Sequence, residues 1–204
     1  MIEAVGDDAL ALRLNEPQDA IQARAEALRA SGTFAEVVPT LGLLTVVFDP
    51  LVLPRGEAAR LLRDAARRPA RLAGVRAEPM TIPVRYDGED LPRVAEAAGL
   101  SERAVIEAHA SARYAVLFLG FTPGFAYLGG LPDELAGTER LASPRVRAPA
   151  GSVGVAGGRT GVYALAGPGG WPIIGRTEAR LFDPSSDRLF SLTPDRAVRF
   201  EPVR

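Results

Sequence analysis

Three segments in the second half of the chain hold most of the side chains able to do chemistry. "HASARYAVLFLGFTPGFAYL" contains His109, Tyr114, Phe121, Pro123, Gly124, Phe125 and Tyr127. "PRVRAPAGSVGVAGGRTGVY" contains Arg145, Arg147, Gly151, Ser152, Arg159, Thr160 and Tyr163, and "GPGGWPIIGRT" contains Gly170, Trp171, Arg176 and Thr177. Arginine presents a fixed planar set of donors suited to a carboxylate or a phosphate. Glycine-rich turns expose backbone N–H groups to an anion or a developing oxyanion. The combination suggests a cleft for a small carboxylate or acyl ligand.

Each element also has a plainer reading. His109 is the only histidine, and it closes a helix of mixed polarity, where a surface or capping imidazole is the commoner outcome. Ser152 lies in "AGSVG", which lacks the first glycine of a nucleophile elbow and so reads as a turn hydroxyl. Arg145 and Arg147 would point to one face of a strand, as an exposed pair or an anion site. "GSVGVAGG" runs on into β-type sequence instead of opening a helix, which argues against a phosphate loop. "GFTPGFAYLGGLP" sets glycines beside large rings, a backbone costly to order that some contact must require.

Absences narrow the chemistry further. The chain has no cysteine, and all 24 of its Lys+Arg residues are arginine. Thiol nucleophiles, Schiff bases and a Walker-type lysine are therefore excluded. One imidazole excludes a multi-histidine metal site, so no metal is expected. A net charge of −1 gives no field to recruit nucleic acid or an anionic membrane. The apolar runs "LGLLTVVF" and "YAVLFLGF" fall short of the roughly 20 residues of a membrane helix. The N-terminus lacks a signal-peptide layout, so a cytoplasmic location is expected.

The elements that must position these residues change character along the chain. Residues 1–84 read as ββαββαβ, a small α+β sandwich. Strands fall at Ile2–Val5, Ala9–Leu14 and in "AEVVPT" and "LGLLTVVFD". Ile21, Ala25 and Leu28 define one helix, Ala58, Leu61, Leu62 and Ala65 a second, and Pro79–Tyr86 is an extended seventh element. Two short helices follow, "GEDLPRVAEAAG" and "SERAVIEAHAS", the latter capped by Ser101. From Tyr114 onward, short β-type runs, "RLFSL" among them, alternate with Gly/Pro turns, as in a barrel or sandwich over residues 85–204.

The three segments, with "IPVRYDGEDLPRVAEAAGLSERAVIEAH" before them, resemble the family of the bacterial 5-oxoprolinase B subunit and the Kip inhibitor, a module also similar to part of the carboxyltransferase/allophanate-hydrolase subunit-1 group. The resemblance implies a small N-terminal α/β sandwich followed by a cyclophilin-like β-barrel. It implies an enzyme component that acts with A and C subunits and ATP to open the lactam of 5-oxo-L-proline to L-glutamate, inactive alone. The complex would bind the ATP, at a site not assignable to this chain. A kinase-binding regulator, or a component of a urea-type carboxyltransferase or allophanate hydrolase, are the alternatives it implies. By the same resemblance, His109 is the candidate proton shuttle, and Arg145 and Arg176 hold a carboxylate or phosphoryl oxygen. Phe121, Pro123, Gly124, Phe125, Tyr127, Gly151, Ser152, Thr160, Tyr163, Gly170, Trp171 and Thr177 would line a substrate cleft at the subunit junction. Arg159, where the family usually has glutamine, is a departure.

Overall fold

Buried and more exposed side chains alternate along two of the four strands of the first sheet. In the computed structural model, which describes residues 1–68, 79–194 and 196–204, β1 (Ile2–Val5), β2 (Ala9–Arg13), β3 (Glu36–Thr40) and β4 (Leu43–Val47) pair antiparallel in the order β1-β2-β4-β3. Val37 opposes Val46 across the β3–β4 register, and both are buried. The helices α1 (Gln18–Ala30) and α2 (Arg55–Arg67) add Ile21, Ala25 and Leu28, and Ala58 and Leu62, to the same core. These are i, i+4 and i, i+3 spacings, one apolar stripe on each helix. Arg24 links the two helices: it pairs with Glu16 at 2.8 Å and donates to the carbonyls of Ala65 and Arg68 at the end of α2. The chain divides into two compact units, Met1–Gly74 and Val75–Arg204.

In the second unit, β5 (Met80–Val84) is followed by α3 (Leu91–Ala98) and α4 (Glu102–Ser111). Ser101 caps α4 by accepting the Ala104 N–H at 3.2 Å. Then come β6 (Tyr114–Leu119), β7 (Ala126–Gly129), α5 (Asp133–Ala136), β8 (Arg145–Ala148) and β9 (Ser152–Ala156). The last elements are β10 (Arg159–Val162), β11 (Gly167–Gly169), β12 (Ile173–Arg176) and β13 (Ala197–Pro202). Seven strands form one sheet in the order β12-β9-β10-β7-β6-β13-β5, antiparallel except for the β13–β5 pair. The chain leaving β5 then bonds to the opposite edge. Arg85 and Arg176 exchange two backbone hydrogen bonds of 2.8 Å, and the Gly88 and Asp90 N–H groups donate to Ile174 and Ile173. That contact closes the sheet into a barrel.

Alternation separates the two faces of the barrel wall. Ile82, Val84, Val116, Leu128, Val162 and Phe200 fill the interior, together with Leu91, Val94 and Val105 of the helices. Phe125, Tyr163, Trp171 and Ile173 face the other way, into a second apolar cluster with Ala148. Both faces of β9 are thereby covered, and all five of its residues are buried.

The expected α+β sandwich followed by a β-barrel is the observed architecture. Three local readings are corrected. Pro79–Tyr86, expected in the N-terminal unit, contains a barrel strand, because its partner β13 lies at the far end of the sequence. "RVRAPAGSVGVAG" is two strands broken at Pro149–Gly151. "RLFSL" is no strand; its Phe190 makes one bridge to Phe182, and the two rings stack at 5.4 Å.

Candidate functional site

His109, near the end of α4, lies inside the barrel with 0% exposure. Its ring packs against Phe200 at 4.6 Å and Tyr114 at 5.3 Å. Nε2 lies 2.9 Å from Thr160 Oγ1, and Nδ1 lies 2.8 Å from the Tyr86 hydroxyl. The Thr160 hydroxyl donates to the Gly154 carbonyl at 3.0 Å, so its oxygen accepts the Nε2–H. Nδ1 is then the bare nitrogen and accepts from Tyr86. The chain of donors therefore runs Tyr86, His109, Thr160, Gly154 carbonyl. Burial holds the imidazole pKa down to about 3 and pushes the Tyr86 and Tyr114 hydroxyls up. The expected proton shuttle is instead a neutral core residue, fully buried and with both nitrogens occupied.

The segment that closes the barrel, Tyr86–Asp90, holds all three residues expected to be catalytic. Tyr86 turns inward to His109, while Asp87 accepts from Arg176 Nη2 at 2.8 Å. Glu89 accepts from Arg145 Nε at 2.7 Å. Asp90 accepts from both Arg145 Nη2 and the Ile173 N–H, each at 2.6 Å. Arg145 is only 19% exposed and also donates to the Trp171 carbonyl at 3.4 Å. All three of its nitrogens are engaged within the fold, two of them by carboxylates, which corrects its reading as a substrate anchor. Arg176, 62% exposed, keeps donors free for a ligand. The sequence signal is "YDGEDL", whose acidic residues have no role in the site expected from the resemblance.

Gly88 permits this closure. A Cβ there would overlap the Ile173 carbonyl oxygen and the Ile174 carbonyl carbon, backbone atoms that no rotamer change can move. Gly88→Ala is expected to destabilise the second unit by about 3 kcal/mol, the upper end for overpacking. Thermal unfolding of the two proteins measures it, and an unchanged transition would show that the segment closes some other way.

The rings expected to wall a cleft are largely structural. Phe125, Tyr163 and Trp171 are 2%, 2% and 6% exposed and meet edge to face, with Tyr127 beside them. They seat the β8–β11 pair on the outside of the barrel, which corrects their reading as a substrate-facing wall. Gly170 lies against Pro144 and accepts the Leu141 N–H. Ser152 is 4% exposed in β9 and presents no nucleophile to solvent. Phe121 differs: it is 55% exposed and sits at φ 73°, a left-handed backbone unusual for an aromatic residue. With Pro123 and Gly124 it borders a shallow hollow of about 360 Å³.

The "PAGS" and "IGRT" segments come together where the barrel closes. The Gly151 N–H donates to Tyr163, and the Gly151 carbonyl accepts from Thr177 at 2.8 Å. Gly151 has φ 83°, and a Cβ on it would overlap the Thr177 carbonyl oxygen, so only glycine fits. Beside this junction is a hollow of about 670 Å³ bordered by Arg85, Ala150, Arg176, Thr177 and Glu178. That size suits a small ligand. Arg85, unremarked in the sequence, is the residue the motifs miss. Among the described residues no cluster of His, Cys, Asp or Glu could hold a metal, and no helix is long and apolar enough to cross a membrane.

Residues 1–192 match the family described as carboxyltransferase domain, subdomain C and D. The chain is 42% identical over 214 residues to the B subunit of 5-oxoprolinase from Escherichia coli O157:H7, covering 98% of this chain and 94% of that protein. The protein of the same name from Bacillus subtilis (strain 168) is 38% identical over 219 residues, covering 98% and 91%. The crystal structure of TTHA0988 superposes with a TM-score of 0.82 at 38% identity, and this chain spans 40% of that longer one. The Kluyveromyces lactis urea carboxylase shares the fold, with a TM-score of 0.80 at 17% identity over 22% of its chain. Sequence and structure agree: the chain belongs to the family of carboxyltransferase domains, subdomains C and D.

Proposed function

We propose that this chain is the B subunit of a 5-oxoprolinase, acting in the cytoplasm with A and C subunits to hydrolyse 5-oxo-L-proline to L-glutamate. The observation that carries this reading is the 42% identity to a protein named as that B subunit, across 98% of this chain and 94% of the relative. A lactam is a poor electrophile, and ATP bound elsewhere in the complex supplies the drive to open it. The glycine-rich Gly151–Gly158 segment is not a phosphate loop, because it forms β9 and the turn into β10 and does not open a helix. Nor does the chain present an accessible imidazole to shuttle a proton. Both observations support a chain inactive alone. The exposed, strained Phe121 supports a subunit junction at the Gly120–Gly124 turn.

Reconstitution tests the proposal. The purified chain is mixed with its A and C partners, ATP and 5-oxo-L-proline, and glutamate is followed. Glutamate should appear only when all three chains and ATP are present. Full turnover without this chain, or none with all components, contradicts the assignment.

A further inference from the structure

We propose that Arg85, Arg176 and Glu178 form a binding site for a small carboxylate that also carries an N–H group. Arg85 and Arg176 are direct antiparallel partners at the barrel closure, joined by two backbone bonds of 2.8 Å. Side chains so placed share one face, and like charges directly opposed are unfavourable. The closure itself needs only backbone atoms, so it does not require arginine at either position. A single internal counter-charge serves the pair: Asp87 takes Arg176, while Arg85 has no ion pair among the described residues. Two arginines at directly paired positions that share only one ion pair, Arg176 with Asp87, suit an incoming anion.

The rest of the hollow narrows the ligand. Pro83, Ala150, Ala179 and Val203 give it an apolar lining. Glu178 is the only carboxylate in the lining, and it pairs with neither arginine. A carboxylate acceptor in the same hollow as two guanidinium groups matches a compact molecule that carries both a carboxylate and an N–H group. On the reading above, that molecule is 5-oxoproline, or glutamate after ring opening. The inference rests on that reading for the ligand's identity only.

Calorimetric titration of the purified chain, without partners or ATP, tests the site. The native chain should bind 5-oxo-L-proline. Arg85→Gln should weaken binding by about tenfold or more, the size of a lost charge-assisted hydrogen bond. Asp87→Asn should tighten it, since the internal competitor for Arg176 is gone. Glu178→Gln should weaken 5-oxoproline relative to cyclopentanecarboxylate, which has no N–H to donate and loses only a repelling charge. Arg113→Gln is the control, in a separate hollow bordered by Arg113 and Arg199, and should change nothing. No binding by the native chain, or equal affinity in the Arg85 variant, overturns the site. Turnover of the reconstituted complex undiminished by Arg85→Gln overturns the site but not the 5-oxoprolinase reading. Binding as described with no turnover overturns that reading and leaves the site standing.

Discussion

Asp90→Ala is expected to destabilise the barrel by about 3 kcal/mol, the lower end for breaking a buried charge pair. One oxygen, Oδ2, accepts from Arg145 Nη2 and from the Ile173 N–H at 2.6 Å each. Its loss leaves a mostly buried guanidinium dependent on Glu89, and a buried backbone N–H without an acceptor. An unmet buried donor costs more than a hydrogen bond contributes on average. The retained Glu89 contact keeps the effect from the top of the range. Urea unfolding followed by tryptophan fluorescence isolates the effect, because the chain has one tryptophan, Trp171, buried in the second unit. The comparison variant is Arg103→Ala, which removes an exposed pair with Glu107 on α4. It should leave the transition where it was.

Mild acid, between pH 6.5 and 5, should destabilise the same unit through a single group. An unfolded histidine titrates near 6.5, whereas burial holds His109 down to about 3 in the fold. Between those values the unfolded chain carries one more proton than the folded one. Stability is therefore fully present above about pH 6.5 and falls as the pH drops, by about 1.4 kcal/mol for each unit. Asp and Glu ordinarily titrate near 4, so the decline between pH 6.5 and 5 belongs to His109. His109→Gln, which cannot charge, should lose that slope and still support glutamate release in the reconstituted complex at pH 8. A slope retained in the variant would place the titrating group elsewhere.

Local patterns make the element types legible. The stripe Ala58–Leu62 and the alternation in β3 and β4 are readable because short spacings set them. Pairing over long separations is not legible. β5 looks like the end of the first unit because nothing in "MTIPV" names a parallel partner near the end of the chain. His109 reads from its helix as a terminal polar residue. Its burial depends on Tyr86 and Thr160, 23 and 51 positions away. Arg145 carries the right chemistry for an anion anchor, but Asp90, 55 positions away, already fills that role from inside. The spacing of the aromatic residues shows that they cluster but not that a ribbon covers them, since laying β8 and β11 over the rings is a tertiary event. Arg85 gives no local signal; only the register of the closed barrel sets it opposite Arg176.

The division of the motif residues by Tyr86–Asp90, imidazole inside and arginine outside, is open to one direct measurement. Nitrogen-15 NMR of the imidazole gives a single pair of ring signals, since the chain has one histidine. At pH 5 those signals should report a neutral ring with hydrogen on Nε2 and none on Nδ1. A ring that charges with a midpoint near 6.5 would place His109 in contact with water and contradict the account.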